Sequence, residues 1–281
     1  MLNKTTMLVS LTIGMPPQTR IAGKASDKVE VEYNTARRQA RVSKTLFSKQ
    51  DIRPLQTAAS RARTVFNEMS LPYDAGNRII PTKTYFKFAE KMVEISGEFD
   101  KRKTAFLRDY HLTRMRAEME LGELYDEKNY PPVEDLEDRI YFSIDSSVVP
   151  ATTAFDDLAG LDEAAIEKLK AEAVAGQQRK VGEALQNLFS RLFTSLSKAS
   201  VKLADKDAVF RDTLLSNIET ALDAIETLNL TDDQNLITLA EEVKATLEGL
   251  TPEALRKDEE LRLKTAEETQ ALVNKVGEFF V

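Results

Sequence analysis

At 281 residues, 42 % of them hydrophobic and 30 % charged, the chain is long enough to bury a sizeable core as one large domain or two smaller ones. The absence of cysteine excludes disulfides, thiolate-ligated zinc, iron–sulfur clusters and thiol catalysis, and the single histidine, His111, excludes a histidine-rich metal centre and offers no obvious catalytic triad. The net charge of −7 conceals an asymmetry: residues 1–65 hold twelve Lys and Arg against four Asp and Glu, a balance of +8, which leaves −15 for the remainder.

Residues 7–13 are β-branched and apolar and read as a strand, ended by Gly14, Pro16 and Pro17. Residues 28–33 alternate strictly, with Val29, Val31 and Tyr33 on one face, so the spacing predicts a second strand that pairs with the first as an antiparallel hairpin. The segment between them carries Arg20 and Lys24 beside Gly14 and Gly23; it is either a mobile tip that lies along a phosphate backbone or a plain connecting loop. Asn34 reads as the N-cap of a short basic helix over residues 35–42, in which Arg37 and Arg41 share a face and Arg38 flanks them. This is the densest cationic cluster in the chain. After Phe47, residues 51–69 form a helix with Pro54 in its first turn, a core stripe of Leu55, Ala58, Ala62, Phe66 and Met69, and Arg53 and Arg61 on the other side.

Residues 70–81 concentrate Pro, Gly, Asp and Asn and read as a sharp, rigid connection. Thr82 or Thr84 then caps a long amphipathic helix to about residue 128, built on Phe88, Met92, Ile95, Phe99, Phe106 and Tyr110, broken near Gly97 or His111 and stopped by Pro131 and Pro132. Residues 139–145 alternate and read as a third strand that completes a small sheet. Residues 150–160 mark the boundary between two domains, 1–150 and 151–281. Beyond it, helices over 162–203, 206–228, 231–250 and 251–280, joined by short connections, predict an acidic antiparallel bundle; residues 231–234 resemble a capping box. The expected fold is α+β and mostly α: a small antiparallel sheet near the N-terminus, long amphipathic helices and a C-terminal helical bundle.

Sites of chemistry are few. There is no Walker loop and no dinucleotide fingerprint. Glu134, Asp135, Glu137 and Asp138, or Asp156 and Asp157, either hold Mg²⁺ or solubilise a helix end and a loop, and no general acid or phosphate-binding nest accompanies them. The chain therefore reads as a non-enzymatic protein without cofactor or metal. A nucleic-acid interface is better supported: Arg20, Lys24, Arg37, Arg38, Arg41, Lys44 and Arg61 are candidates to hold phosphates, and Phe47 to stack on an unpaired base. The apolar C-terminal residues 277–281 superficially resemble the partner-docking tips of bacterial single-strand-binding proteins, but an amphipathic helix rather than a disordered acidic linker precedes them.

One stretch carries a resemblance. Leu55-Gln56-Thr57-Ala58-Ala59-Ser60-Arg61-Ala62-Arg63, then Leu71-Pro72-Tyr73-Asp74-x-Gly76-x-Arg78-Ile79-Ile80-Pro81 and Tyr85-Phe86-x-Phe88, resembles an uncharacterised family of tailed bacteriophages and prophages whose members are often encoded near a MoxR-type AAA ATPase, a von Willebrand-type A-domain protein, or replication and recombination genes. The resemblance covers about residues 1–150 and brings no catalytic residues. It implies a phage origin and a role in phage nucleic-acid metabolism or in a multiprotein assembly. Together with the basic segment, the expectation is a DNA-binding protein of the bacterial host cytoplasm, single-stranded by preference, acting in phage replication or recombination. The alternative is a helical adaptor or self-assembling structural protein that docks a partner such as an AAA ATPase. The expected partners are single-stranded DNA, further copies of the chain, and a phage or host protein held by the C-terminal helices. No apolar run is long enough to span a bilayer and residues 1–13 lack a signal-peptide pattern, so the expectation is an intracellular protein without a membrane partner.

Overall fold

The computed structural model describes residues 2–156, 160, 162–209 and 211–279. In chain order the elements are α1 (Leu2–Thr5), β1 (Thr6–Ile13), β2 (Thr19–Ile21), α2 (Gly23–Glu32), β3 (Ser43–Thr45), α3 (Lys49–Glu68), β4 (Leu71–Asp74), β5 (Asn77–Pro81), α4 (Tyr85–Arg108), α5 (Tyr110–Leu121), α6 (Val133–Arg139), β6 (Phe142–Val148), α7 (Glu163–Ala204), α8 (Thr213–Leu228), α9 (Gln234–Leu247), α10 (Pro252–Lys257) and α11 (Glu259–Gly277). The fold is α+β and mostly α, with a small antiparallel sheet, as composition and periodicity predict. The chain forms two compact units and passes between them four times. One unit holds Met1–Ser10, Asn67–Phe88 and Asp145–Val281, the other Leu11–Phe66 and Ala89–Ile144.

The four-stranded sheet has the order β4-β5-β1-β6, and the first unit holds β4, β5 and the larger parts of β1 and β6. The stretch 70–81, expected only as a connector, is a hairpin. β4 and β5 pair antiparallel with Asp74 opposite Asn77, and Gly76 takes the left-handed backbone (φ +84°) that the two-residue turn requires. Pro72 is tolerated because β4 is an edge strand, and Tyr73 is the extra residue of a bulge. β5 then pairs with β1, Thr6 opposite Pro81 through Val9 opposite Arg78, which buries Ile79 and Ile80 completely. Lys180 of α7 fixes the hairpin, with its Nζ 2.6 Å from Asp74 Oδ2 and 4.9 Å from the centre of the Tyr73 ring.

Two arginines close the end of α3 within this unit. Asn67 O and Ser70 O accept from both guanidinium groups, Arg78 and Arg191, and Glu68 O accepts from Arg191 at 2.9 Å. They meet the orphan carbonyls of a helix C-terminus that lacks a capping glycine. Burial, and secondarily the neighbouring Arg191, push the Arg78 pKa down to about 10.

α7, α8, α9 and α11 make the helical bundle, its core running through Leu188, Leu192, Leu196, Ile218, Ile225, Leu239, Val243 and Val276. Asp162 caps α7, Asp233 rather than Thr231 caps α9, and Thr251 caps α10 ahead of Pro252. The helix expected over 251–280 breaks at Asp258, which ends α10 and accepts from Leu261 N to start α11. α8 starts at Thr213, later than expected. Phe279 stacks on Phe189, ring centres 5.0 Å apart, so this part of the apolar C-terminal stretch is packed; Phe280 and Val281 lie outside the described residues, as does Asp157.

The second unit is built on α3, α4, α5 and α6 around Ile52, Leu55, Phe99, Phe106, Tyr110, Leu136 and Ile140. The long helix expected to residue 128 breaks at Asp109, beside His111, and α5 ends at Leu121. α3 starts at Lys49, which places Pro54 inside the helix rather than in its first turn. At the end of β1, a Cβ on Gly14 would collide with the Arg139 carbonyl and the Tyr141 ring, and Gly14 N donates to Tyr141 O at 2.9 Å.

Two expectations for the N-terminal region fail. Residues 28–32 belong to helix α2 and Tyr33 is its C-cap, so they form no strand, the hairpin with β1 does not exist and β1 pairs instead with β5 and β6. Residues 35–42 form an irregular loop with a turn at Arg37 and Arg38, not a basic helix. Ala22 and Ser26 are buried and Ala25 and Val29 half-buried, a face of helical period made of small residues; the alternating Val31 and Tyr33 are left in solvent.

Candidate nucleic-acid interface

The interface is an excursion from a two-stranded ladder in the second unit. β2 and β3 pair antiparallel, Thr19 opposite Thr45, Arg20 opposite Lys44 and Ile21 opposite Ser43, and bonds from Ala22 N to Val42 O (2.9 Å) and Leu46 N to Gln18 O (2.8 Å) extend the ladder at both ends. Between the strands the chain makes α2 and then a loop over residues 33–42. Ser26 joins the two: its Oγ donates to Ala22 O and accepts from Val42 N, each at 2.9 Å. These bonds hold the backbone from which the side chains of the excursion project.

Asn34 ends α2 rather than starting another helix. Its φ of +50° is left-handed, Thr35 N donates to Glu30 O at 3.0 Å, and Asn34 N donates to Val31 O at 3.3 Å. These are the two bonds of a Schellman motif, with Asn taking the position usually given to Gly. A turn follows, closed by Gln39 N donating to Ala36 O at 3.1 Å, in which Arg38 is held at φ +67° and its N–H donates to the Glu30 carboxylate. Left-handed backbone costs a residue with a Cβ about 1–2 kcal/mol. Here it sets Arg37 and Arg38 side by side at the apex of a turn.

Residues 19–45 contain seven Lys and Arg against three acids. Arg20, Lys24, Lys28, Arg37, Arg38 and Arg41 are exposed, and among the described residues none of their cationic groups is in an ion pair. Five of the eight residues expected at the interface are therefore together on this excursion and free to meet a polyanion.

The other three are engaged elsewhere. Phe47 is 2 % exposed, enclosed by Phe106 (centres 5.5 Å apart), Tyr130 (6.0 Å) and Tyr110 (6.4 Å), which removes it from reach of a base. Two of these rings are anchored: the Tyr130 hydroxyl donates to Leu46 O at 2.9 Å and that of Tyr110 to Pro131 O at 3.1 Å, and burial pushes both phenols up to about 12. Lys44 is buried, with Nζ donating to Leu124 O at 2.6 Å. Arg61 is held by Glu94 and Glu98.

The aromatic residue that sequence reasoning missed is Tyr33, 69 % exposed at the C-terminal end of α2, one turn of chain before the arginines and close in sequence to the exposed Val31. Reading residues 28–33 as a strand assigned Tyr33 to a sheet face and so hid it.

Elsewhere in the second unit, a cleft of about 200 Å³ at the start of α3 is lined by Asp51, Arg102, Asp109, Thr113 and Arg116. Its carboxylates are already occupied. Asp51 accepts from Ser48 Oγ and lies 2.8 Å from Arg116, while Arg108 grips Asp109 through two bonds and holds its carboxyl below the usual range. Asp156 pairs with Lys170, and among the described residues no group of three or more His, Asp and Glu is gathered to hold a metal ion. No described helix is long and apolar enough to cross a membrane.

No family model, no curated protein and no solved structure matches the chain.

Proposed function

We propose that the protein binds nucleic acid through the β2–α2–β3 excursion, with single-stranded DNA as the ligand, in phage replication or recombination. One observation carries the reading: Arg37 and Arg38 stand at the apex of a turn, one of them in strained backbone, with Arg41 and the exposed Tyr33 close in sequence and no ion pair on the arginines among the described residues. Strain of this kind persists where a surrounding structure imposes it, and it concentrates at ligand-binding positions. The guanidinium groups supply phosphate contacts, and Tyr33 supplies a face on which an unpaired base stacks, which a duplex does not offer. The net acidic balance of residues 66–281 makes the rest of the chain, taken as a whole, repel polyanions.

Fluorescence anisotropy with labelled single- and double-stranded oligonucleotides tests this. If Arg20, Lys24, Arg37, Arg38 and Arg41 each meet a phosphate of a single strand, log K falls with log salt at a slope of about −3.5, or about 130-fold in affinity between 50 and 200 mM. Replacing Arg37, Arg38 and Arg41 together by Ala reduces the slope to about −1.4 and the loss to about sevenfold. Absence of binding at 50 mM salt, or an unchanged slope in the triple variant, refutes the reading.

A further inference from the structure

A second surface, in the other unit, is independent of the nucleic-acid reading. The C-terminal turns of α7, the N-terminal turn of α8 and, between them, Val209 and Arg211 line a groove of about 570 Å³. Its apolar wall is Val201, Val209 and Leu214; Val201 is 66 % and Val209 92 % exposed. Its polar lining is one-sided. Lys198, Lys202 and Arg211 contribute to it, all three exposed; among the described residues none of the three is in an ion pair and no Asp or Glu lines the groove.

That composition stands out because of where it occurs. Residues 66–281 carry −15, and elsewhere in this unit Lys170, Lys180, Lys206, Lys244, Arg256 and Lys275 are each paired with a carboxylate. Lys198 and Lys202 lie one helical turn apart on α7 with Val201 beside them, so the apolar strip and the charges form one surface. We infer that the groove is a docking site for an acidic amphipathic segment of a partner protein. Two or three large apolar side chains of that segment fill the trough along Val201, Val209 and Leu214, and its carboxylates meet Lys198, Lys202 and Arg211. An uncharged apolar ligand leaves the three cations unused, and a basic segment is repelled by them.

The test uses the full chain with ¹³C-labelled Val and Leu methyl groups and two synthetic helix-forming peptides of about 14 residues. One has Leu at spacings of three and four with Glu on its remaining face; the other has Lys in place of every Glu. The expected result is saturable binding of the Glu peptide, at least about tenfold tighter than the Lys peptide, with methyl shifts concentrated at Val201, Val209 and Leu214. In a Lys198→Glu, Lys202→Glu, Arg211→Glu variant, whose substitutions are all on the surface and whose folding is checked by circular dichroism, the preference reverses. Binding of neither peptide, shifts centred on other methyl groups, or a Glu preference that survives the charge reversal overturns the inference. So does concentration-dependent self-association that perturbs these same methyl groups without peptide, which assigns the groove to a second copy of the chain. Shifts confined to residues 20–41 would reflect attraction of the acidic peptide to the basic excursion and equally count against the groove.

Discussion

Exchanging the roles of Phe47 and Tyr33 gives the most direct test of the interface. Phe47 is enclosed by three aromatic rings, two of them anchored by hydroxyl bonds to backbone carbonyls, so Phe47→Ala leaves a cavity costing about 3–5 kcal/mol. That is a large share of the stability of a typical domain, about 5–15 kcal/mol, and the variant is expected to fold poorly. Phe47→Leu is the better probe. It retains most of the apolar volume and loses the edge-on ring contacts, about 2 kcal/mol in all, or a fall in Tm of about 4–8 °C. Tyr33→Ala, at an exposed helix end, is expected to change stability by less than about 0.5 kcal/mol, yet to weaken single-strand binding by about 1–3 kcal/mol, roughly 5- to 150-fold, with little effect on duplex affinity. Thermal melts and anisotropy titrations on the same preparations separate the two effects. If Phe47→Leu keeps its Tm and loses single-strand affinity, or if Tyr33→Ala lowers Tm by several degrees and leaves affinity intact, the assignment of core and contact residues is wrong.

Three further outcomes follow from local geometry. Arg38→Gly relieves left-handed strain, partly offset by the greater freedom of Gly in the unfolded chain, so Tm holds or rises slightly while the single-strand salt slope becomes about 0.7 shallower; a clear loss of stability would refute the strain argument. Gly14→Ala meets a backbone carbonyl and the Tyr141 ring, and a cost of about 1–3 kcal/mol is expected in denaturant titration, whereas Gly97→Ala, where a Cβ meets nothing, is expected to be neutral or stabilising. Tyr110 and Tyr130, with folded pKa values of about 12, lie above the ordinary phenol value near 10, so the neutral form is favoured by folding: their contribution is complete below pH 10 and is lost as pH rises toward 12. Alkaline melts followed by tyrosinate absorbance check this, and the loss is expected to shrink in Tyr110→Phe and Tyr130→Phe, each of which leaves a backbone carbonyl without its donor and costs about 1 kcal/mol at neutral pH.

What the sequence reveals divides along physical lines. Helices α3, α4, α7 and α9 are legible because large apolar side chains recur at three and four, and β1 because a short apolar run is bounded by Gly and Pro; β6 is legible only in part, since the alternation over 139–145 starts in the last turn of α6 and the strand runs Phe142–Val148. α2 is misread because its buried face is made of Ala22, Ala25 and Ser26, which carry little hydropathy, whereas the exposed Val31 and Tyr33 carry much and imitate strand alternation. β5 is missed because a strand flanked by β4 on one side and by the sequence-distant β1 on the other is buried without showing a period, and Ile79-Ile80 alone cannot be distinguished from any short apolar run. The same limit governs the site. Clustering of cations is visible in sequence, but which of them are free is a tertiary property: Arg61 looks like Arg41 until Glu94 and Glu98 are brought against it. Asn34 shows the ambiguity at a single residue, since the short polar side chain that suits an N-cap also tolerates left-handed backbone. Where the chain needed Asn34 to stop one helix, it could not start another, and the arginines that follow were consequently fixed in turns. That outcome separates Arg37 and Arg38 from the fixed side-chain spacing of a helix and makes their presentation depend on Glu30, Ser26 and the β2–β3 ladder, so the charge cluster and its geometry stand or fall together.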